Sequence, residues 1–415
     1  MNNNPKYSIL IPTRNSLEYV KDCVTSVLQQ NYTDFECIVS DNYSDDGTYD
    51  YFKSMDHSNL ILTKPPESMA MTDHWEWVLS KARGDWITFV GSDDGLQPYF
   101  FELADCLIKI ATKRKIHVIN SVRPQFVWDS KDFAFKYYAR AGYQIKSTKW
   151  GLLNSTVGCS NYVEVPMMYS GSIINKSIIQ KGKVYNGGKF FNTSAPDADA
   201  AAIICLIEEK HLESLIPLAW WGSSPKSNGR RYTENRDRYI IQEKREINRA
   251  MSGCLLPTFQ KSDSGTTPFP SIFKICLADS LFKTKYLQSS FWKRVYDSKL
   301  FKTMLISNIF YECKIQQYDT SVCKEFAAIT NISFRMVRLF SKIITPNFRR
   351  CIRIIMKLGK VKFIFSKHIS SEIRHPSNSP LSLMDANSFI NKLVKENNFI
   401  DNFILQEEGT ANTSQ

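Results

Sequence analysis

The first 120 residues alternate between two hydrophobic periods, and that alternation limits the possible folds more than any other property of the chain. Short apolar runs at 7–12, 35–40, 60–62, 86–90 and 116–119 read as strands. Between them, residues 17–28, 47–55, 71–82 and 99–110 carry apolar side chains at helical spacing. Strand–helix alternation with short connections predicts an α/β fold, a doubly wound and largely parallel sheet. Ligands of such sheets bind beyond the carboxyl ends of the strands. Those ends carry Pro12, Thr13 and Arg14, then Asp41 and Asn42, then Lys64, then Asp93 and Asp94. Cations and anions therefore converge on one rim. The paired carboxylates that close the apolar run at 84–95 suit a hard divalent cation, which can in turn hold phosphates.

At 415 residues the chain is long enough for two or three domains of ~150 residues each. A hydrophobic content of 43% and an aromatic content of 13% supply real cores. The ten cysteines are scattered singly with no CxxC pair, so neither a zinc site nor a redox pair is suggested. Cys37, Cys106 and Cys205 fall inside apolar patterns and read as small buried hydrophobes. This usage fits a reducing cytosol. Residues 1–6 are polar and lack the apolar core of a signal peptide. No run reaches the ~20 apolar residues that a spanning helix needs, so a soluble or peripheral protein is expected.

From 121 to 230 the pattern is less regular, with a strand-like piece at 168–174 and an alanine-rich helix running from Ala195 to Glu209. A basic loop at 222–231 carries Lys226, Arg230 and Arg231, a charged helix is expected at 234–251, and 261–270 is the best linker. The expected division is therefore 1–260, in halves 1–120 and 121–260, followed by 271–415. Within that last part, residues 326–371 contain no Asp up to and including Ser371 and no Glu, while Arg335, Arg338, Lys342, Arg349, Arg350, Arg353, Lys357, Lys360, Lys362 and Lys367 are all basic. Pro346 divides this basic stretch into two expected helices.

Three segments together resemble the family 2 glycosyltransferases of GT-A (Rossmann-like) fold, of the bacterial surface-polysaccharide type. Ser8-Ile9-Leu10-Ile11-Pro12-Thr13-Arg14-Asn15 is similar to the family's opening strand. Residues 38–48 are similar to its second strand and nucleotide loop, and residues 85–94 to its metal strand. The resemblance covers roughly residues 5–230 and implies a nucleotide-diphosphate sugar donor and transfer with inversion. It places Pro12, Thr13 and Arg14 against the nucleoside, Asp41 on the base, and Asp93 on Mg²⁺ or Mn²⁺ bridging the phosphates. The family's usual Asp-x-Asp reads Gly91-Ser92-Asp93-Asp94 here, so the first acid is missing, and Asp94 or Ser92 is expected to stand in for it. The resemblance also puts a catalytic base at the head of a helix after the acceptor region, where this chain has Asp197 with Asp199 two residues on. The same position suits a helix N-terminus, where Asp is favoured in any case.

Other residues keep two readings. His74 is either a satisfied helix-surface histidine or catalytic, and Trp75 and Trp77 either pack their helix or stack on sugar. Lys226, Arg230 and Arg231 are either a solvated charge run or a lid over diphosphate. For the basic C-terminal region, attachment to an anionic membrane surface through 326–371 is preferred over a plain packing domain. No nucleic-acid motif is present, so no nucleic acid is expected as partner. The expected protein is a metal-assisted glycosyltransferase on the cytoplasmic face of a bacterial membrane, acting on a glycan or lipid-linked acceptor such as O-antigen or capsule. The rivals are a nucleotidyltransferase and an inactive glycan-binding scaffold. The nucleotidyltransferase should carry a Gly-rich phosphate loop after the first strand, and residues 12–15 are not one.

Overall fold

The computed structural model describes residues 4–128, 135–140, 142–156, 164–191, 195–227, 290–315, 320–344, 368–373, 382–396, 398 and 400. The N-terminal part runs β1 (Tyr7–Thr13), α1 (Leu17–Leu28), β2 (Phe35–Asp41), α2 (Thr48–Lys53), β3 (Leu60–Thr63), α3 (Met71–Lys81), β4 (Trp86–Phe89), β5 (Gly95–Leu96), α4 (Phe100–Lys113) and β6 (Val118–Ser121). Each of the expected strands and helices is present, with ends shifted by a few residues.

The irregular stretch resolves into short elements: β7 (Gln125–Val127), β8 (Phe135–Arg140), β9 (Tyr143–Ser147), α5 (Thr148–Thr156), β10 (Ile173–Asn175), α6 (Lys176–Tyr185), α7 (Pro196–Ile207), β11 (Lys210–Ser214) and β12 (Ala219–Ser223). Strands of three to six residues leave too few positions for a period-2 pattern to stand out. Helices α8 (Ser290–Asp297), α9 (Lys299–Ile315), α10 (Ser321–Ile329) and α11 (Phe334–Ile343) follow, then β13 (His368–Ile373) and α12 (Leu383–Glu396). The expected helix at 234–251, the linker at 261–270 and the surroundings of Pro346 lie outside the described residues.

An eight-stranded sheet has the order β3-β2-β1-β4-β10-β6-β11-β9. Strands β3, β2, β1 and β4 are parallel, and β10 runs antiparallel between β4 and β6. Strand β11 is again parallel to β6, and β9 closes the edge antiparallel. Alternate residues of one strand feed opposite layers, as the pleat requires. Tyr7, Ile9 and Ile11 enter a core shared with α1 and α4, while Leu10 enters a second core shared with α3, α6 and α7. The sheet is thus mostly parallel with helices on both faces.

A third core joins α5 and α7 to α9, α10 and α11 through Leu152, Ala201, Cys205, Leu305, Ile309 and Phe310. Helix α7 lends Ala200, Ile203 and Ile204 to one core and Ala201, Ala202 and Cys205 to another, which explains why it is apolar nearly all round. The last two elements pack on the N-terminal part. Strand β13 pairs antiparallel with β8, and α12 buries Leu383, Ala386, Ile390 and Val394 in the core of α1 and α4. Trp220 Nε1 donates to Asn387 Oδ1 (2.7 Å), and Asn387 Nδ2 donates to the Leu96 carbonyl (3.1 Å).

Candidate functional site

Parallel pairing puts Thr13 beside Asp41, so the loops after β1 and β2 leave the sheet together. They are tied by hydrogen bonds from Asn42 N to the Thr13 carbonyl (2.9 Å), Asn15 N to Ser44 Oγ (2.8 Å) and Asp45 N to Asn15 Oδ1 (2.9 Å). Asp46, which caps Leu17 N at 2.9 Å, is held below the usual carboxylate range. Burial opposes that shift, but the Thr48 and Leu17 donors and the Lys226 charge outweigh it. Arg14 stands exposed at the rim and Pro12 is half-buried. Asp41 is fully buried: one oxygen accepts from Ser44 N (3.2 Å), while the other has no hydrogen-bond partner among the described residues. An unpaired buried carboxylate oxygen is costly, so this atom is where a ligand donor is wanted.

Two rim residues have protein partners. Asn42 is buried, and its amide exchanges two hydrogen bonds with Met69 (2.7 and 2.9 Å), so it pins the loop before α3. The Lys64 ammonium lies 4.2 Å from the Tyr43 ring centroid and 5.1 Å from that of Tyr49, a cation–π seat on the outer wall of the rim.

Beyond β4 the two carboxylates separate by environment. Asp94 is fully buried and accepts from Gly222 N (2.6 Å), Gly91 N (3.1 Å), the Ser170 hydroxyl and the Tyr169 hydroxyl. Burial, and then the charge of Asp93, pushes its carboxyl up to about 6. Closed off in this way, Asp94 has its carboxyl oxygens held by donors of the protein itself. Asp93 is half-exposed, as is Ser92. Its Oδ2 accepts from Ser224 N (3.2 Å), Ser224 Oγ (2.8 Å) and Ser227 Oγ. Gly222 makes this contact possible, because a Cβ there would overlap the Asp93 carbonyl. The loop after β12 then crosses to the first strand, where Lys226 Nζ donates to the Asn15 carbonyl (3.0 Å). Arg230 and Arg231 lie outside the described residues.

Gly91 also has a local explanation. A Cβ at this position would fall on the Tyr169 hydroxyl and within 2.7 Å of Asp94 Oδ2. Tyr169 comes from a turn with left-handed backbone at Met168 (φ 54°), Ser170 (φ 35°) and Gly171 (φ 97°). Arg123 Nε donates to the Ser170 carbonyl (2.9 Å) and holds that turn. Such strain persists only where the surroundings over-determine it.

The head of α7 approaches Tyr169. Burial is the main cause that raises the Tyr169 hydroxyl pKa, followed by the charges of Asp94, Asp93 and Asp197, so Asp197 lies within electrostatic range of Tyr169. Asp197 is half-buried in the first turn, behind Pro196 and an Ala195 N-cap that offers no side-chain acceptor. Asp199 is buried at 1% exposure and faces away from solvent. His74 is not on the helix surface: it is buried, with Nε2 2.8 Å from Ser40 Oγ. Burial, and then Arg14, holds its imidazole down at about 4. Trp75 packs the helix, stacked on Phe89 at 4.4 Å, and Trp77 carries the Lys81 ammonium at 3.7 Å.

Sequence reasoning missed Tyr169, Ser170, Ser224 and Ser227, all held to the carboxylates by contacts far apart along the chain. Among the described residues no group of three His, Cys, Asp or Glu could by itself hold a metal ion.

A doubly wound α/β domain with a charged rim at its strand ends is the class that fold and site define. Residues 8–131 match the model described as Glycosyl transferase family 2. A PGL/p-HBAD biosynthesis glycosyltransferase of Mycobacterium bovis (strain BCG / Pasteur 1173P2) is 31% identical over 110 residues, 26% of this chain and 41% of that protein. The hyaluronan synthase of Pasteurella multocida is 32% identical over 106 residues, 25% of this chain and 11% of that protein. The chain thus spans less than half the length of these curated relatives. A solved structure of S. aureus TarS 1–349 in complex with UDP-GlcNAc covers 86% of this chain and 93% of its own, at 14% identity and a TM-score of 0.42. That likeness is too loose to carry residue assignments.

Proposed function

We propose that the chain is a nucleotide-sugar-dependent glycosyltransferase that inverts the anomeric centre and acts on a glycan or lipid-linked acceptor in bacterial surface-polysaccharide synthesis, such as O-antigen or capsule. What supports the reading is that the half-exposed Asp93 and the unpaired oxygen of Asp41 both lie at strand ends of the segment that matches family 2, with Asp197 in electrostatic range of Tyr169, which hydrogen-bonds Asp94. Pro12, Thr13 and Arg14 line the nucleoside, and Asp41 accepts from a base N–H. A carboxylate with one oxygen fixed by Ser224 and Ser227 and the other turned to a ligand, completed by phosphate oxygens and waters, would suit Mg²⁺ or Mn²⁺. Asp93 fits that role, and Asp94 does not. A bound ion would neutralise charge on the departing diphosphate. Asp197 takes the proton of the acceptor hydroxyl as its oxygen attacks the anomeric carbon and the bond to the diphosphate breaks. Lys226, on a loop already tied to Asp93, adds positive charge beside that leaving group.

No helix among the described residues is long and apolar enough to cross a membrane. We place the enzyme at the cytoplasmic face, held peripherally through its basic C-terminal region. The deciding experiment incubates purified protein with a panel of nucleotide sugars in Mn²⁺, Mg²⁺ or EDTA and records nucleoside diphosphate release. Metal-dependent release from one donor is expected. Asp197→Asn should lower turnover by ~10²-fold or more with melting temperature unchanged, and Asp93→Ala should lower turnover by at least as much while also losing the bonds that hold Ser224 and Ser227. If no donor raises the melting temperature with any metal, the scaffold reading replaces this one.

A further inference from the structure

Between α9 and α11 lies a groove of about 300 Å³ lined by Lys314, Arg338 and Lys342 with the polar side chains of Tyr311 and Ser341. No acidic residue lines it. Arg338 and Lys342 have no ion-pair partner among the described residues. Beside the groove, α11 turns Met336 (42% exposed), Leu339 (52%) and Ile343 (48%) to solvent. At 100° per residue these three form one stripe, and Arg335, Arg338 and Lys342 form the stripe next to it. Ile315, at the end of α9, is 62% exposed at the same groove. An apolar stripe of this kind, flanked by cations, matches the interface of an anionic bilayer, where apolar side chains enter the acyl boundary and cations meet phosphate.

We propose that this face of α9 and α11 docks on an anionic phospholipid surface, with Lys314, Arg338 and Lys342 gripping a headgroup phosphate and Met336, Leu339 and Ile343 entering the lipid. The inference deepens the membrane attachment stated above and rests on it, but its test needs no sugar transfer. It also places the contact at a defined groove.

The full chain is floated with phosphatidylcholine vesicles with and without phosphatidylglycerol, in the absence of donor. Binding to the anionic vesicles alone is expected, weakening as salt rises. The double variant Arg338→Gln, Lys342→Gln should weaken it by ~fivefold per cation removed, and Leu339→Asn should weaken it without changing the salt dependence. Arg338→Lys with Lys342→Arg should retain binding. Equal binding to neutral vesicles, or binding indifferent to the double variant, overturns the proposal. So does a change in oligomeric state on Leu339→Asn in the absence of lipid, which would make the stripe a self-association face. Nucleoside diphosphate release measured in parallel fails separately if the transferase reading is wrong.

Discussion

Two adjacent carboxylates acquire opposite tasks because one faces protein and the other solvent, and the difference is measurable. Folding raises the Asp94 carboxyl from 3.8 to about 6 through burial and the Asp93 charge. Its contribution to stability is fully present below 3.8 and is lost as pH rises through about 6. His74 has the opposite sign: burial and Arg14 lower it from 6.5 to about 4, so its contribution is present above 6.5 and lost as pH falls through about 4. The two slopes oppose each other between pH 4 and 6. Asp94→Asn should leave stability rising with pH across that window, and His74→Gln should leave it falling. Urea midpoints against pH check this, and parallel profiles for the two variants would refute it. Gly91 carries a second prediction. Gly91→Ala should cost ~1–3 kcal/mol by overpacking against Tyr169. Tyr169→Phe, which removes the clashing oxygen, should recover part of that cost in a double-mutant cycle.

Among the elements, α7 and α12 have the widest consequences. Helix α7 is wedged between two cores, so its first turn cannot shift without disturbing both. Helix α12 fixes β12 and β5 through one amide. Asn387→Ala leaves the buried Trp220 Nε1 and the Leu96 carbonyl without their bonds, at ~1–3 kcal/mol for each unsatisfied group. Because β12 leads into the loop that holds Asp93, turnover should fall along with the melting temperature. Loss of stability at unchanged turnover would show that β12 does not transmit the disturbance.

Across the whole molecule, the C-terminal helices support the site from behind. Phe310, 4% exposed, packs in the core that also takes Ala201, Ala202 and Cys205 of α7. Phe310→Ala should cost ~3–5 kcal/mol, and hydrogen exchange should quicken in α7 as well as in α9. Exchange that quickens in α9 alone would mean the helical layer is only an appendage. The same helices carry the groove and stripe of α11 on their outer side, so one layer both braces α7 and offers a docking face.

The alternation of periods determined the first layer by itself, because the strands and helices of residues 7–121 other than β5 each show within their own window. The rim followed, since parallel strands deliver their carboxyl ends to one edge whatever their neighbours. Residues 121–230 were not legible to the same degree, their strands being too short to show a period. Only the tertiary structure separated Asp93 from Asp94, tied Asn42 to Met69 and explained Gly91. Those outcomes depend on partners 76 residues away at Ser170, 128 away at Gly222 and 131 away at Ser224. The return of α12 to the first core rests on a contact spanning 291 residues, from Asn387 to Leu96. A residue's type and local period fix which way it faces, but which donors fill a buried carboxylate is decided by backbone brought in from elsewhere. For that reason the chemistry of the rim was readable in the sequence, and the division of labour within it was not.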